Sequence, residues 1–267
     1  MPELPEVETT ARLVRPHLLG RRLTAARVLW LRTLGGATVR GVDRRAKWVV
    51  LDLGAAGALL VHLRMTGRLV VEPAEDDAGP WLRVGLGLDD GRELRFLDVR
   101  KFGRVLHVAE PSAVFAALGP EPLGPEFTPE ALLAGLRARR RALKPLLLDQ
   151  GFIAGLGNIY VDEALFEVGV HPLRPANRVS PDEAGRLRRA SIAILERAIA
   201  HRGTTFSDYR TVNGEVGAYA ARLSVYAHEG EPCPRCGTPI EKLVVGQRGT
   251  HVCPQCQPKP RTRRRRR

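Results

Sequence analysis

No apolar run in this sequence approaches the ~18 residues that a membrane-spanning helix requires, and its opening residues include Glu3, Glu6 and Glu8 where a secretory leader would be basic. Both absences argue for a cytoplasmic protein with no membrane partner. Cysteine is scarce: four in 267 residues, all between positions 233 and 256. In a reducing compartment, so tight a group of thiols reads as metal ligands in preference to disulfides. Lysine is the third shortage. Only Lys47, Lys101, Lys144, Lys242 and Lys259 stand among 42 basic residues, so a lysine here is a less routine choice than usual.

What the chain has in excess is positive charge, formally +13. Residues 258–267 carry seven basic side chains and no acid, which leaves +6 on the rest. A basic body with a basic tail favours a polyanionic partner, because neutralising phosphates releases condensed counterions. A solvated, disordered tail is an equally good account of residues 258–267.

The 44% hydrophobic content suffices for two modest domains or one large one. Residues 5–18 read as a helix, with Pro5 in its first turn and Val7, Ala11, Val14 and Leu18 on one face. From 21 to 108 the pattern changes to short β-type runs (48–53, 58–63, 83–88, 94–97) separated by Gly and Asp clusters, as in antiparallel hairpins. Residues 118–125, rich in Gly and Pro, form the best linker. Helices follow from Pro129 toward Arg137–Arg141, from Leu143 to Asp149, after Asn158, and from the capping box at Ser180 and Glu183 to about His201. Residues 206–222 read as a mobile loop.

Two local patterns carry chemistry. Removal of Met1, permitted by a small second residue, would leave Pro2 with a free secondary amine titrating near ~7.7–8.0. Such an amine adds to an aldehyde-like carbon to give an iminium, a cation that withdraws electrons from the adjacent carbon. Cys233, Cys236, Cys253 and Cys256 form a C-x2-C-x16-C-x2-C frame, which suits one closed, structural tetrahedral zinc site. Between the pairs, 240–245 and 250–252 can pair as strands with Arg248 at the hairpin tip, where a guanidinium can fork onto a phosphate. Gly155-Leu-Gly-Asn158 ahead of a helix would accommodate an anion, although such turns also serve packing alone.

The segments Met1-Pro-Glu-Leu-Pro-Glu-Val-Glu-Thr-Thr10, Arg44-Arg-Ala-Lys47, His62-Leu-Arg-Met-Thr-Gly67, Arg100-Lys-Phe-Gly103, Leu146-Leu-Leu-Asp-Gln150, Gly155-Leu-Gly-Asn-Ile-Tyr160 and the cysteine frame occur in that order. Over residues 1 to about 257 the chain thereby resembles the bacterial formamidopyrimidine-DNA glycosylases. The resemblance implies an α+β fold: a β-sandwich N-terminal domain with its helix (1–117), a linker (118–128), a helix-two-turn-helix domain with a lesion loop (129–222), a four-cysteine zinc-finger hairpin (223–257) and a basic tail (258–267). It implies a bifunctional glycosylase and abasic-site lyase that removes oxidised purines opposite cytosine from double-stranded DNA by β- and δ-elimination. The expected protein is a monomer at the nucleoid, holding one structural Zn2+.

By the same resemblance Pro2 is the nucleophile and Glu3 the proton donor and acceptor. Lys47, His62, Asn158 and Arg248 grip the DNA backbone, with Lys47 and Arg248 counted in the catalytic set. Met65, Arg100 and Phe102 fill the stack vacated by the extruded base. By themselves, His62 would be a packed strand histidine and Met65 and Phe102 core residues; the resemblance reverses those readings. Glu6 and Glu163 match acidic positions without a clear role. Val99 and Lys101 depart from the usual Pro and Arg, Ala220 and Ala221 leave the lesion loop short of polar groups, and the tail is longer than the family needs. An endonuclease VIII-like enzyme for oxidised pyrimidines, a non-catalytic zinc-containing DNA-binding protein and an RNA-binding zinc-ribbon protein are the competing readings; Leu4, intact Pro2 and Glu3, and the N-terminal motif argue against them in turn.

Overall fold

The computed structural model describes residues 2–204 and 217–260. The chain divides into two compact units, Met1–Ala117 with Ala198–Ala221, and Leu118–Arg197 with Arg222–Arg267.

The first unit begins with helix α1 (Leu4–Leu18), which buries Leu4, Val7, Ala11, Val14 and Leu18 on one face, the expected helix with one more residue at its start. Eight strands follow: β1 (Leu23–Ala26), β2 (Gly41–Arg45), β3 (Trp48–Asp52), β4 (Ala58–His62), β5 (Gly67–Pro73), β6 (Leu82–Leu88), β7 (Arg92–Asp98) and β8 (Arg104–Val108). They form two four-stranded antiparallel sheets, ordered β1-β6-β7-β5 and β2-β3-β4-β8. Val49, Leu51, Leu59 and Val61 from one sheet and Leu69, Val84, Leu86, Leu94 and Phe96 from the other share one core with Val7 and Val14 of α1. This is the expected sandwich, because period-2 alternation gives each sheet one apolar face that needs covering. A short helix α2 (Pro111–Phe115) follows β8.

In the second unit the linker region 118–128 holds neither helix nor strand. Helix α3 (Pro129–Arg137) starts where the Thr128 hydroxyl accepts the Ala131 N–H at 3.1 Å. Helix α4 (Leu143–Leu147) stops short of the expected Asp149, because Asp149 Oδ1 accepts the Gly151 N–H and turns the chain. Helix α5 (Asn158–Val168) buries Ile159 through Phe166 without a break and is the spine of the unit. Helix α6 (Pro181–Ala200) has the expected capping box: Ser180 N–H to Glu183 at 2.8 Å, and Glu183 N–H to the Ser180 hydroxyl at 3.1 Å.

Strands β9 (Glu241–Val245) and β10 (Arg248–Val252) close the unit as a hairpin. Arg248 is not at its tip. The two-residue turn is Gly246 and Gln247, both with positive φ (58° and 62°), as a tight hairpin turn demands, and Arg248 opens β10 opposite Val245. Most of the expected lesion loop, 206–222, lies outside the described residues, as does the end of the tail; of that loop, Tyr219–Arg222 form a 3-10 turn.

Candidate active site and metal centre

Pro2 and Glu3 are both buried, just ahead of α1. What fixes them is Glu6, itself 1% exposed. Its Oε2 accepts the Glu3 N–H at 2.8 Å and its Oε1 accepts the Thr204 N–H at 2.8 Å. A carboxylate divided between two backbone donors ties the N-terminus to the residue just ahead of the 205–216 segment. Gly203 is required beside it twice over: its φ is +80°, and a Cβ there would come within 2.8 Å of Glu6 Oε1. The sequence left Glu6 without a role; the structure gives it a positioning one.

Lys47 and His62 lie close together. Lys47 follows Ala46 in the β2–β3 turn, and Ala46 sits in the left-handed region with φ 53°, a conformation costing an L-residue ~1–2 kcal/mol. Arg44 holds the turn, donating to the Ala46 carbonyl at 3.1 Å and to Glu8 of α1 at 3.0 Å. Burial raises the Glu8 carboxyl, but hydrogen bonds and charge from Arg12 and Arg44 outweigh it and hold Glu8 below the usual carboxylate range. His62 pairs across the sheet with Trp48, with the rings edge to face at 4.9 Å. Burial, then the charges of Arg64, Lys47 and Arg104, push its imidazole down to about 3. Its Nδ1 accepts the Arg64 N–H at 3.1 Å, so the proton of the neutral ring is on Nε2. His62 is a packed strand histidine and a neutral donor at once.

The three expected stack-filling residues are exposed, Met65 at 40% and Phe102 at 52%, with Arg100 over the Phe102 ring at 4.9 Å. The exposure of Met65 and Phe102 excludes the core placement that their apolar character alone would suggest. Asp98, 1% exposed, organises their two loops: it accepts the Thr66 hydroxyl, the Arg100 N–H at 3.3 Å and the Gly103 N–H at 2.7 Å. Sequence reasoning passed over Asp98, since nothing local distinguishes it from a strand-end aspartate.

In the second unit, α5 supports the hairpin and the cysteine cluster. Asn158 Nδ2 donates to the Gly249 carbonyl at 2.9 Å, which brings Asn158 and the residue next to Arg248 together. Gln150 braces the loop ahead of α5, accepting the Gly155 N–H and donating to Leu156. Glu163 accepts three backbone N–H groups, from Ser224, Val225 and Tyr226, at 2.8–2.9 Å. Burial still raises its carboxyl above the usual range. It anchors the chain entering the zinc module. Arg235 stacks over Phe166 at 4.4 Å and donates to the Phe166 and Glu167 carbonyls, capping the negative end of α5.

The sulfurs of Cys233, Cys236, Cys253 and Cys256 all lie within 4.8 Å of one another. Three of the separations are 3.5, 3.5 and 3.9 Å, close to the ~3.8 Å that tetrahedral Zn–S bonds of ~2.3 Å impose and far beyond a disulfide bond. Hydrogen bonds from Thr238 draw the Cys236 thiol down to about 6, whereas burial and the neighbouring thiols push Cys256 up to about 12. Four sulfurs at tetrahedral spacing form a closed all-sulfur donor set that fits one structural Zn2+.

Three family models match the chain: a formamidopyrimidine-DNA glycosylase N-terminal domain over residues 1–105, a formamidopyrimidine-DNA glycosylase H2TH domain over 118–210, and a zinc finger found in FPG and IleRS over 230–259. The chain is 47% identical over 273 residues to the formamidopyrimidine-DNA glycosylase of Chloroflexus aggregans, covering 96% of this chain and 98% of that one. It is 46% identical to that of a Roseiflexus species, covering 96% and 100%. Among solved structures it is similar to the MutM (FPG) protein of Thermus thermophilus, at 42% identity and TM-score 0.88 over 97% of this chain and 100% of that one. It is also similar to a Lactococcus lactis FPG mutant in complex with Fapy-dG-containing DNA, at 32% identity and TM-score 0.87 over the same shares.

Proposed function

Since the chain belongs to the formamidopyrimidine-DNA glycosylase family, we propose that it excises oxidised purines, 8-oxoguanine and formamidopyrimidines, opposite cytosine in duplex DNA and then cuts the strand at the abasic site. The Pro2 nitrogen, freed of Met1, attacks C1′ of the damaged nucleotide. The glycosidic bond breaks and the base leaves with a proton. Glu3 moves protons at the sugar ring oxygen as the ring opens to the iminium. Loss of a C2′ proton then expels the 3′ phosphate, a second elimination expels the 5′ phosphate, and water releases Pro2 from the sugar fragment. The observation that carries this reading is the burial of Pro2 and Glu3 at a helix start fixed by Glu6.

In this reading Lys47 and Arg248 supply cations to the DNA backbone, while His62, with its proton on Nε2, and Asn158 supply neutral donors. Such contacts position the duplex without reading its sequence. Met65 and Phe102 fill the vacated stack and Arg100 bonds the acceptors of the orphaned cytosine. Zinc braces the hairpin and takes no part in the chemistry. The functional division is 1–117 for chemistry, 129–222 and 223–257 for DNA, acting as a monomer in the cytoplasm; no helix among the described residues is long and apolar enough to cross a membrane.

The test is borohydride trapping on an 8-oxoguanine·cytosine duplex. Mass-verified protein lacking Met1 gives a covalent adduct; protein with a short N-terminal extension binds DNA but gives neither adduct nor base release. Full excision by the extended protein rules out Pro2 and turns the search to Lys47.

A further inference from the structure

Lys144 on α4 and Asp162 on α5 are both 0% exposed, and their charged atoms meet at 2.6 Å. A fully buried ion pair is weak support for stability, because its desolvation offsets its attraction and apolar replacement is commonly neutral or favourable. In a chain with five lysines, its placement calls for another account.

The pair's remaining hydrogen bonds supply one. Lys144 Nζ donates to the Gly249 carbonyl at 2.9 Å, and Asp162 Oδ2 accepts the His251 N–H at 3.0 Å. In the β9–β10 register Arg248 faces Val245 across the two-residue turn, so Gly249 and His251 are the alternate, non-hydrogen-bonded positions. Their polar groups point away from β9, along the free edge of β10. The ion pair presents one donor and one acceptor to that edge, as a third strand would. Asn158 adds a second donor to the Gly249 carbonyl. On the other side of Arg248, the Gly246 turn lies so close to Pro145, the neighbour of Lys144, that a Cβ at Gly246 would come within 2.8 Å of the ring. Arg248, exposed itself, is thus held from both sides by α4 and α5.

We propose that Lys144 and Asp162 are positioning residues that hold the β10 edge so that Arg248 meets a DNA phosphate. This deepens the reading of Arg248 as a backbone contact and rests on it. The probe is a duplex carrying a stable abasic-site analogue, bound by the full zinc-loaded chain across a range of salt. Arg248→Ala should lower the slope of log K against log salt by ~0.9, the value of one phosphate. The charge-free Lys144→Met/Asp162→Leu variant should do the same with zinc content unchanged, and adding it to Arg248→Ala should cost no further affinity. Lys144→Arg alone, which keeps a cationic donor beside Asp162, should keep the wild-type slope. If the paired variant loses zinc or helical signal, Asp162→Asn is measured by the same slope and the same combination. An unchanged slope in a folded pair variant, or a loss that adds fully to that of Arg248→Ala, overturns the positioning role while leaving Arg248 its contact. An unchanged slope in Arg248→Ala itself overturns the contact and the inference with it.

Discussion

Lowering the pH should weaken the N-terminal unit through His62 in particular. Its imidazole lies at about 3 in the folded chain, with burial as the largest cause and Arg64, Lys47 and Arg104 after it; unfolded it returns to ~6.5. Between those values the unfolded state binds a proton that the folded state refuses, so stability is lost as pH falls below 6.5, by ~1.4 kcal/mol per unit. From pH 7 to pH 5 this amounts to about 2 kcal/mol from one side chain. His62→Gln keeps a neutral donor and removes the titration, and should show a pH dependence flatter by that amount. All three tryptophans, Trp30, Trp48 and Trp81, lie in the first 117 residues, so urea unfolding followed by their fluorescence reports this unit. The same neutrality predicts no proton uptake by His62 when DNA binds between pH 6 and 8. If wild type and His62→Gln lose equal stability between pH 7 and pH 5, the ring is protonated in the fold and the neutral-donor argument is wrong.

Glu6→Gln replaces one acceptor of the Glu3 and Thr204 amides with a donor, and loss of a charge-assisted hydrogen bond of ~1.5–3 kcal/mol should slow single-turnover excision by roughly 10- to 150-fold; wild-type rates would contradict the positioning role. Chelation of zinc, or Cys253→Ser, should release the hairpin and weaken DNA binding before the tryptophan signal changes, and full metal content in Cys253→Ser would contradict the four-thiolate site. Arg100→Ala should reduce discrimination between cytosine and adenine opposite the lesion by ~1–3 kcal/mol, read as the ratio of excision rates on the two duplexes; an unchanged ratio would remove Arg100 from base recognition.

The features legible in the sequence are those written locally. The cysteine spacing, the Ser180–Glu183 box and the α1 periodicity each lie within a few turns of chain, and each has its expected form. Met65 and Phe102 are apolar and would be assigned to a core by composition; their exposure becomes legible only through the motifs around them. The contacts that orient the site were hidden, because they join distant residues: Glu6 to Thr204, Asp162 to His251, Lys144 to Gly249, and Glu163 to the 224–226 amides. Arg248 was misplaced onto the hairpin tip because the positive φ at Gln247 carries no strong residue signature.

The Glu6 bridge also has a calendar. Its two amide donors belong to residues 3 and 204, and Glu6 and Thr204 are 198 positions apart. At ~5–20 residues per second a ribosome needs roughly 10–40 s to travel between them. Throughout that interval the first residues lack their partner from position 204. If the Pro2 amine is the nucleophile, as proposed, Met1 must be trimmed from a residue that the finished fold buries, and a peptidase would meet it most freely while the nascent chain still waits for Thr204. On the proposed role of Pro2, a chain that keeps Met1 once Thr204 has docked would hold a blocked amine in a buried setting, and its activity would follow the trimming completed during synthesis.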